Sequence, residues 1–136
     1  MTEARTHTAA CLCGRLRASA RGAPRDVYVC ACRNCQRKSA SVFTYAAIFR
    51  AEDVSTEGAA ARYRYEGDSG RWIENNFCPT CGGFVFFTAQ GFPDYIGLNV
   101  GAMDEPDFEA PRRMYWASRR HRWLDVPDGV EEVETQ

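Results

Sequence analysis

Seven cysteines carry most of the chemical potential of this 136-residue sequence, and they fall into three groups. Cys11 and Cys13 form CxC, Cys30, Cys32 and Cys35 form CxCxxC, and Cys78 and Cys81 form a CxxC within "CPTCG". Thiolates at such spacings are soft ligands for an ion such as zinc, or the paired thiols of a redox centre. Cysteines two apart on an extended chain point to the same face and reach one ion without a turn. A CxxC needs a turn that aims both sulfurs at one point, and Pro79 and Gly82 suit it. Four thiolates close a tetrahedral zinc site, whereas three leave a coordination position for an outside ligand. Seven sulfurs therefore divide into one closed and one open site. Spacing alone leaves the division undetermined, because Cys32, Cys35, Cys78 and Cys81 could form an ordinary CxxC…CxxC ribbon, leaving Cys11, Cys13 and Cys30 for the open site.

The elements that must position these groups are read from the rest of the chain. Alternation of apolar and polar residues marks strands in "RLRASA" (15–20), "DVYVCA" (26–31), "FTYAAIFR" (43–50), "ARYRYEG" (61–67), "RWIENNFC" (71–78), "GFVFFT" (83–88) and "DYIGLNV" (94–100). Gly, Pro, Asp and Ser fill the gaps, and no stretch keeps helical periodicity for three turns. Short helical turns are expected near 33–39 and 51–54, and the fold is expected to be mainly antiparallel β. The length suits a single domain over 1–136, with a core from about 8 to 125 and a polar, acidic tail at 126–136 expected to fray.

Composition excludes several function classes. A formal net charge of −1, with 45% hydrophobic and 26% charged residues, describes a globule without a field that would recruit nucleic acid or a membrane. Sixteen of the 17 basic residues are arginine, Lys38 being the one lysine. The segment "RRMYWASRRHRW" (112–123) interleaves arginines with Tyr115, Trp116 and Trp123, as a nucleic-acid stacking surface would, but the acidic tail after it offsets the charge. No window approaches the roughly 18 apolar residues of a membrane span, and "MTEARTHTAA" lacks the apolar core of a secretion signal. The chain is therefore expected in the cytoplasm, where an odd cysteine count at short spacings points to metal or thiol chemistry rather than a disulfide frame. His7 and His121 are the only histidines and read as ordinary surface residues.

The three cysteine groups, in this order, resemble the GFA family, the glutathione-dependent formaldehyde-activating enzymes and their relatives, among them the centromere protein V domain. The likeness runs from residue 11 to about 123. It rests on "CLCGRLRASA", "CACRNCQRKSASVFTYAAIF", "FCPTCGGFVFF", "IGLNVGAMDEP" and a closing tryptophan in "RRHRW". The resemblance implies a β-tent of small antiparallel sheets stapled by a structural zinc on Cys11, Cys13, Cys78 and Cys81. It also implies a second, catalytic zinc on Cys30, Cys32 and Cys35, and makes Trp123 a packing residue. Three positions depart from the family's common pattern: Ala31 where histidine is frequent, Ala40 where glycine is usual, and Gly83 where a small hydroxyl residue is frequent.

Zinc held by three thiolates can accept an outside thiol and lower its pKa, which makes it a nucleophile at neutral pH. The expected function is thus a zinc-dependent carbon–sulfur lyase of the S-(hydroxymethyl)glutathione synthase type. It would add a small thiol such as glutathione reversibly to an aldehyde such as formaldehyde. Arg33, Arg37 and Lys38, beside the three-cysteine group, could pair with the carboxylates of such a thiol; the plain alternative is a solvated turn. Phe43 and Tyr45 read as core strand residues. A non-catalytic, zinc-stabilised binding module is the alternative function, since a fold does not guarantee an activity. A CxxC redox protein fits less well, because the cysteine pairs lack a strand-then-helix setting.

Overall fold

The computed structural model describes residues 5–136, and their fold is mainly β. Strands β1 (Thr6–Ala10), β2 (Arg17–Arg21) and β5 (Val54–Glu57) form a three-stranded antiparallel sheet in the order β1-β2-β5. The other sheet contains β3 (Asp26–Cys30), β4 (Thr44–Arg50), β6 (Ala61–Glu66), β7 (Trp72–Phe77), β8 (Phe84–Ala89), β9 (Tyr95–Asn99), β10 (Arg113–Tyr115) and β11 (Glu131–Val133). Its order is β11-β10-β3-β4-β9-β8-β7-β6, antiparallel except where β10 pairs parallel with both β3 and β11. The helix α1 (Arg33–Ser39) follows β3 directly.

Alternation decides which face each strand buries. In β2, Ala18 and Ala20 are fully buried while Arg17 and Arg21 reach solvent. Small residues at Ala9, Ala18, Ala20 and Ala47 pack with Val27, Phe49, Val85 and Leu98 into one core cluster. The central strands are covered on both faces. In β4, Ala47 and Phe49 belong to that cluster, while Ala46 and Ile48 pack with Tyr28, Cys30, Cys35 and Phe87 on the opposite side. Burying a side chain such as Phe49 contributes about 1.5–3 kcal/mol.

All seven strands expected from alternation form, and both short helical turns appear, the second as a 3-10 turn over Ala51–Asp53. The pattern did not expose β1, β5, β10 or β11. The tail expected to fray instead supplies β11: Glu131 N–H donates to the Arg112 carbonyl at 3.0 Å, and Val126 and Val130 pack against Met114 and Ala117. Three-residue strands carry too little alternation to be read locally, and their parallel pairing is long-range. His7 is buried rather than superficial, with Nδ1 2.8 Å from Glu105 Oε2 and its ring edge-on to Phe108. Trp123 is not a packing residue, since it is 71% exposed.

Candidate metal centres and the adjoining cavity

Cys11 follows β1, and the chain reverses at once through hydrogen bonds from Gly14 N–H to the Cys11 carbonyl (3.0 Å) and from Cys11 N–H to the Leu16 carbonyl (2.9 Å). Gly14 takes φ +82°, a left-handed conformation that favours glycine. Between β7 and β8 the "CPTCG" turn is built the same way. Gly82, at φ +77°, donates to the Cys78 carbonyl at 2.8 Å, and Cys78 N–H donates to the Gly83 carbonyl at 3.0 Å. The two turns meet so closely that a Cβ on Gly83 would lie 3.0 Å from Cys11 Cβ. A hydroxyl residue at position 83 would have to push the first turn aside.

This meeting brings Cys11, Cys13, Cys78 and Cys81 together, all four sulfurs within 4.8 Å of one another. Cys13 Sγ is 3.7 Å from both Cys11 Sγ and Cys78 Sγ. Four sulfurs at about 2.3 Å from a zinc ion would be spaced by about 3.8 Å along each tetrahedral edge, so the donor set fits a closed metal site. Backbone N–H groups already point at the sulfurs: Leu16 N donates to Cys11 Sγ at 3.2 Å, and Thr80 N to Cys78 Sγ at 3.3 Å. The backbone amides of Cys13 and Gly83 pull the Cys81 thiol down to about 6, which favours the thiolate a metal requires.

The second cluster is local, and its Cys32–Cys35 pair does sit at a strand-then-helix junction, contrary to the sequence expectation; the third sulfur, Cys30, is what sets it apart from a two-thiol redox pair. Cys30 ends β3, Cys32 caps α1 with its sulfur accepting from Cys35 N–H at 3.3 Å, and Cys35 lies in the first turn. Their three sulfurs are within 4.8 Å of one another. Cys32 and Cys35 therefore join Cys30, and the ribbon grouping with Cys78 and Cys81 does not occur. The Cys32 thiol lies far below its ordinary value, first because Cys30 and then Cys35 direct S–H hydrogen bonds at it; Cys30 is pushed up in return.

Cys32 and Cys35 form part of the wall of a cavity of about 450 Å³, to which both halves of the large sheet contribute aromatic side chains. Tyr28, Tyr65, Trp72, Phe87, Tyr115 and Trp116 contribute rings. The Phe87 ring lies over Gly97, where a Cβ would come within 2.2 Å of it, so this glycine allows the aromatic wall to lie flat. Trp116 holds φ +54°, costly for a bulky residue at about 1–3 kcal/mol. Arg119 stacks on it at 4.1 Å and is itself tied to Asp68.

Of the three cations singled out beside the cysteines, Lys38 lines the cavity, whereas Arg33 and Arg37 are exposed and lie outside its lining. Lys38 Nζ donates to Tyr65 Oη at 3.0 Å, approaches Asn75 Oδ1 at 3.5 Å and lies 4.9 Å above the Phe87 ring. Burial, then the nearby thiolates, raises the Tyr65 phenol well above its ordinary value, so it stays protonated at neutral pH. Phe43 and Tyr45 pack in the core, and Tyr45 Oη donates to the Glu109 carbonyl at 2.6 Å. Tyr65, Asn75 and Trp72 were not singled out by the sequence, and Trp116 only as part of a stacking surface, because only the register β6-β7-β8 and the excursion after β10 bring Asn75 to Lys38 and the three rings to the cavity. The arginines of 112–123 are largely committed within the fold: Arg113 to Asp26 at 2.6 Å, Arg112 to Glu109 at 2.8 Å and Arg120 to Glu132 at 3.7 Å.

Fold and site together define a mainly β domain with two cysteine clusters able to hold metal ions, one of them opening on a cavity. The profile of the family described as glutathione-dependent formaldehyde-activating enzyme matches residues 6–119, and the chain belongs to this GFA family. A crystal structure of a Rhodobacter sphaeroides protein superposes with a TM-score of 0.58 at 23% identity, covering 76% of this chain and 97% of the other, a likeness of fold. No curated protein matches the sequence. Among the described residues no helix is long and apolar enough to cross a membrane.

Proposed function

We propose that the protein is a zinc-dependent carbon–sulfur lyase of the S-(hydroxymethyl)glutathione synthase type, joining a small thiol reversibly to an aldehyde such as formaldehyde. The observation that carries this reading is the clustering of Cys30 with Cys32 and Cys35, the latter two in the wall of a cavity that also holds the Lys38–Tyr65 pair. In this reading Cys30, Cys32 and Cys35 would hold a catalytic zinc, and Cys11, Cys13, Cys78 and Cys81 a structural one. Bound there, zinc would supply the acidity that makes an incoming thiol a thiolate at neutral pH.

The chain's own groups do the rest. As the thiolate's lone pair forms the carbon–sulfur bond, the carbonyl π pair moves to oxygen, which must take a proton. Lys38 and Tyr65 are the donors on that side of the cavity, and the Lys38 ammonium also stabilises the charge developing on oxygen. The reverse direction returns the proton and breaks the same bond. Aromatic walls limit water around the thiolate, and a cytoplasmic setting would keep the seven thiols reduced.

The test is the exchange rate between free thiol plus carbon-13 formaldehyde and the hydroxymethyl adduct, followed by exchange NMR with the zinc-loaded protein. Catalysed exchange is expected, reduced about a hundredfold in Lys38→Met. Exchange no faster than the uncatalysed reaction, with two zinc ions bound per chain, would instead favour a zinc-stabilised binding module.

A further inference from the structure

The cavity has two chemically different ends. β3 runs from Asp26 at one end to Cys30 at the other, about 13 Å at the rise of an extended strand. The chain from Arg71 to Asn75 covers a similar span and arrives beside Lys38. Cysteines and Lys38 therefore mark one end, and Arg25 and Arg71 the other.

Those two arginines differ from the cavity's acidic residues, which are already neutralised. Asp26 is held by Arg113 and Asp68 by Arg119. Among the described residues neither Arg25 nor Arg71 pairs with an acidic side chain. Arg25 lies 5.9 Å from the centroid of the Tyr95 ring, and Arg71 donates through Nη2 to the Gln136 backbone oxygen at 3.3 Å and through Nε to Ser69 Oγ at 3.4 Å. An oxygen acceptor thus already occupies part of the Arg71 donor face at the cavity edge. Between the ends the walls are mainly rings and aliphatic groups, among them Ile48, Trp72, Phe87 and Phe92. Polar partners in the lining are few, Asn34, Asp68, Ser69 and Gln136 among them, and the apolar stretch would bury an apolar body more favourably than the two amides and the ammonium of glutathione.

We propose that the cavity takes a thiol whose sulfur is separated from a carboxylate by an aromatic or extended apolar body about 10 Å long, the carboxylate being read by Arg25 and Arg71. This specificity rests on the thiol-activating reading of the three-cysteine cluster. The aromatic body fills the space between Tyr28 and Phe87, and the anion is held at the cavity mouth, where the guanidinium groups remain partly hydrated.

Tryptophan fluorescence, with Trp72 and Trp116 in the walls, and calorimetry on the zinc-loaded protein test it with four probes. They are para-(mercaptobutyl)benzoate, phenylbutanethiol as its uncharged counterpart, para-butylbenzoate without sulfur, and glutathione. The mercaptobutylbenzoate is expected to bind at least about tenfold more tightly than glutathione and about fivefold more tightly than phenylbutanethiol. Arg25→Gln with Arg71→Gln should erase the second difference and leave phenylbutanethiol unchanged. Glutathione binding as tightly as the aromatic acid, or equal losses for charged and neutral thiols in the double variant, would overturn the specificity while leaving thiol activation standing. Equal, arginine-dependent binding of para-butylbenzoate and its thiol would refute thiol capture and retain only an aromatic-acid slot. No binding by any probe would overturn both.

Discussion

The two cysteine clusters use the same side chain for opposite structural ends. The four-cysteine cluster joins turns 65 residues apart, from Cys13 to Cys78, and its sulfur spacing already fills a tetrahedron. The three-cysteine cluster spans only Cys30 to Cys35 at one strand–helix junction and leaves a side facing the cavity. A bridge between distant turns restricts the unfolded chain strongly and adds stability, whereas a short local loop restricts it little. Incomplete coordination has the reverse merit, since an ion held by three sulfurs can still accept a fourth ligand. In the proposed reading closure serves stability and openness serves chemistry, at two separate places in the fold.

The sharpest way to break this contrast is Cys11→Ala. Removing one of four sulfurs from the long-range cluster should cost a large share of a metal-binding contribution on the order of 10 kcal/mol, and the cooperative thermal transition should be lost or fall steeply in circular dichroism. A variant that melts like the parent and keeps its full metal complement would refute the role assigned to that cluster. Cys30→Ala should behave differently. We expect a folded protein with one metal ion fewer per chain and no thiol–aldehyde exchange, checked by elemental analysis and the NMR assay; a chelator titration of the parent should likewise strip the three-cysteine site first.

A smaller effect is expected where the cavity wall is built rather than where metal is held. In Gly97→Ala the new methyl meets the Phe87 ring, so the ring must tilt, with a loss of about 1–3 kcal/mol by chemical denaturation and weaker binding of aromatic thiols. Both metal ions should remain. The smallest change is a gain. Ala40 ends α1 at φ +49°, a conformation glycine adopts freely, and Ala40→Gly should stabilise the helix end by about 1 kcal/mol without altering metal content. A loss of stability would mean that the Ala40 methyl makes packing interactions that outweigh its backbone cost.

Much of the contrast was legible before any coordinates. Period-two alternation located seven strands, because each buries one face or both against a core and the pleat repeats every two residues. The short CxC and CxxC spacings announced metal-type clusters, and their number divided into four and three. Glycines at 14 and 82 were readable as turn residues because their position beside cysteines demands tight reversal. The grouping itself was not a local property. Cys32 and Cys35 had a spacing compatible with Cys78 and Cys81, and only the placement of the β7–β8 turn against the turn after β1 decided the partners.

The cavity was harder still to read, since its chemistry is assembled across the large sheet. Tyr65 comes from β6 and Lys38 from α1, 27 residues apart, and their hydrogen bond depends on register through β7 and β8. Nothing in "ARYRYEG" distinguishes Tyr65 from its exposed neighbour Tyr63. Likewise the acidic tail has the composition of a fraying end, yet β10 offers it a free edge and Met114 an apolar seat. The sequence by itself determined strand alternation, the turn chemistry and the supply of seven sulfurs, all set by backbone geometry and side-chain type over a few residues. The tertiary structure alone decided which sulfurs meet, which cation enters the cavity and which rings wall it, because those depend on register and packing between segments that share no local signal.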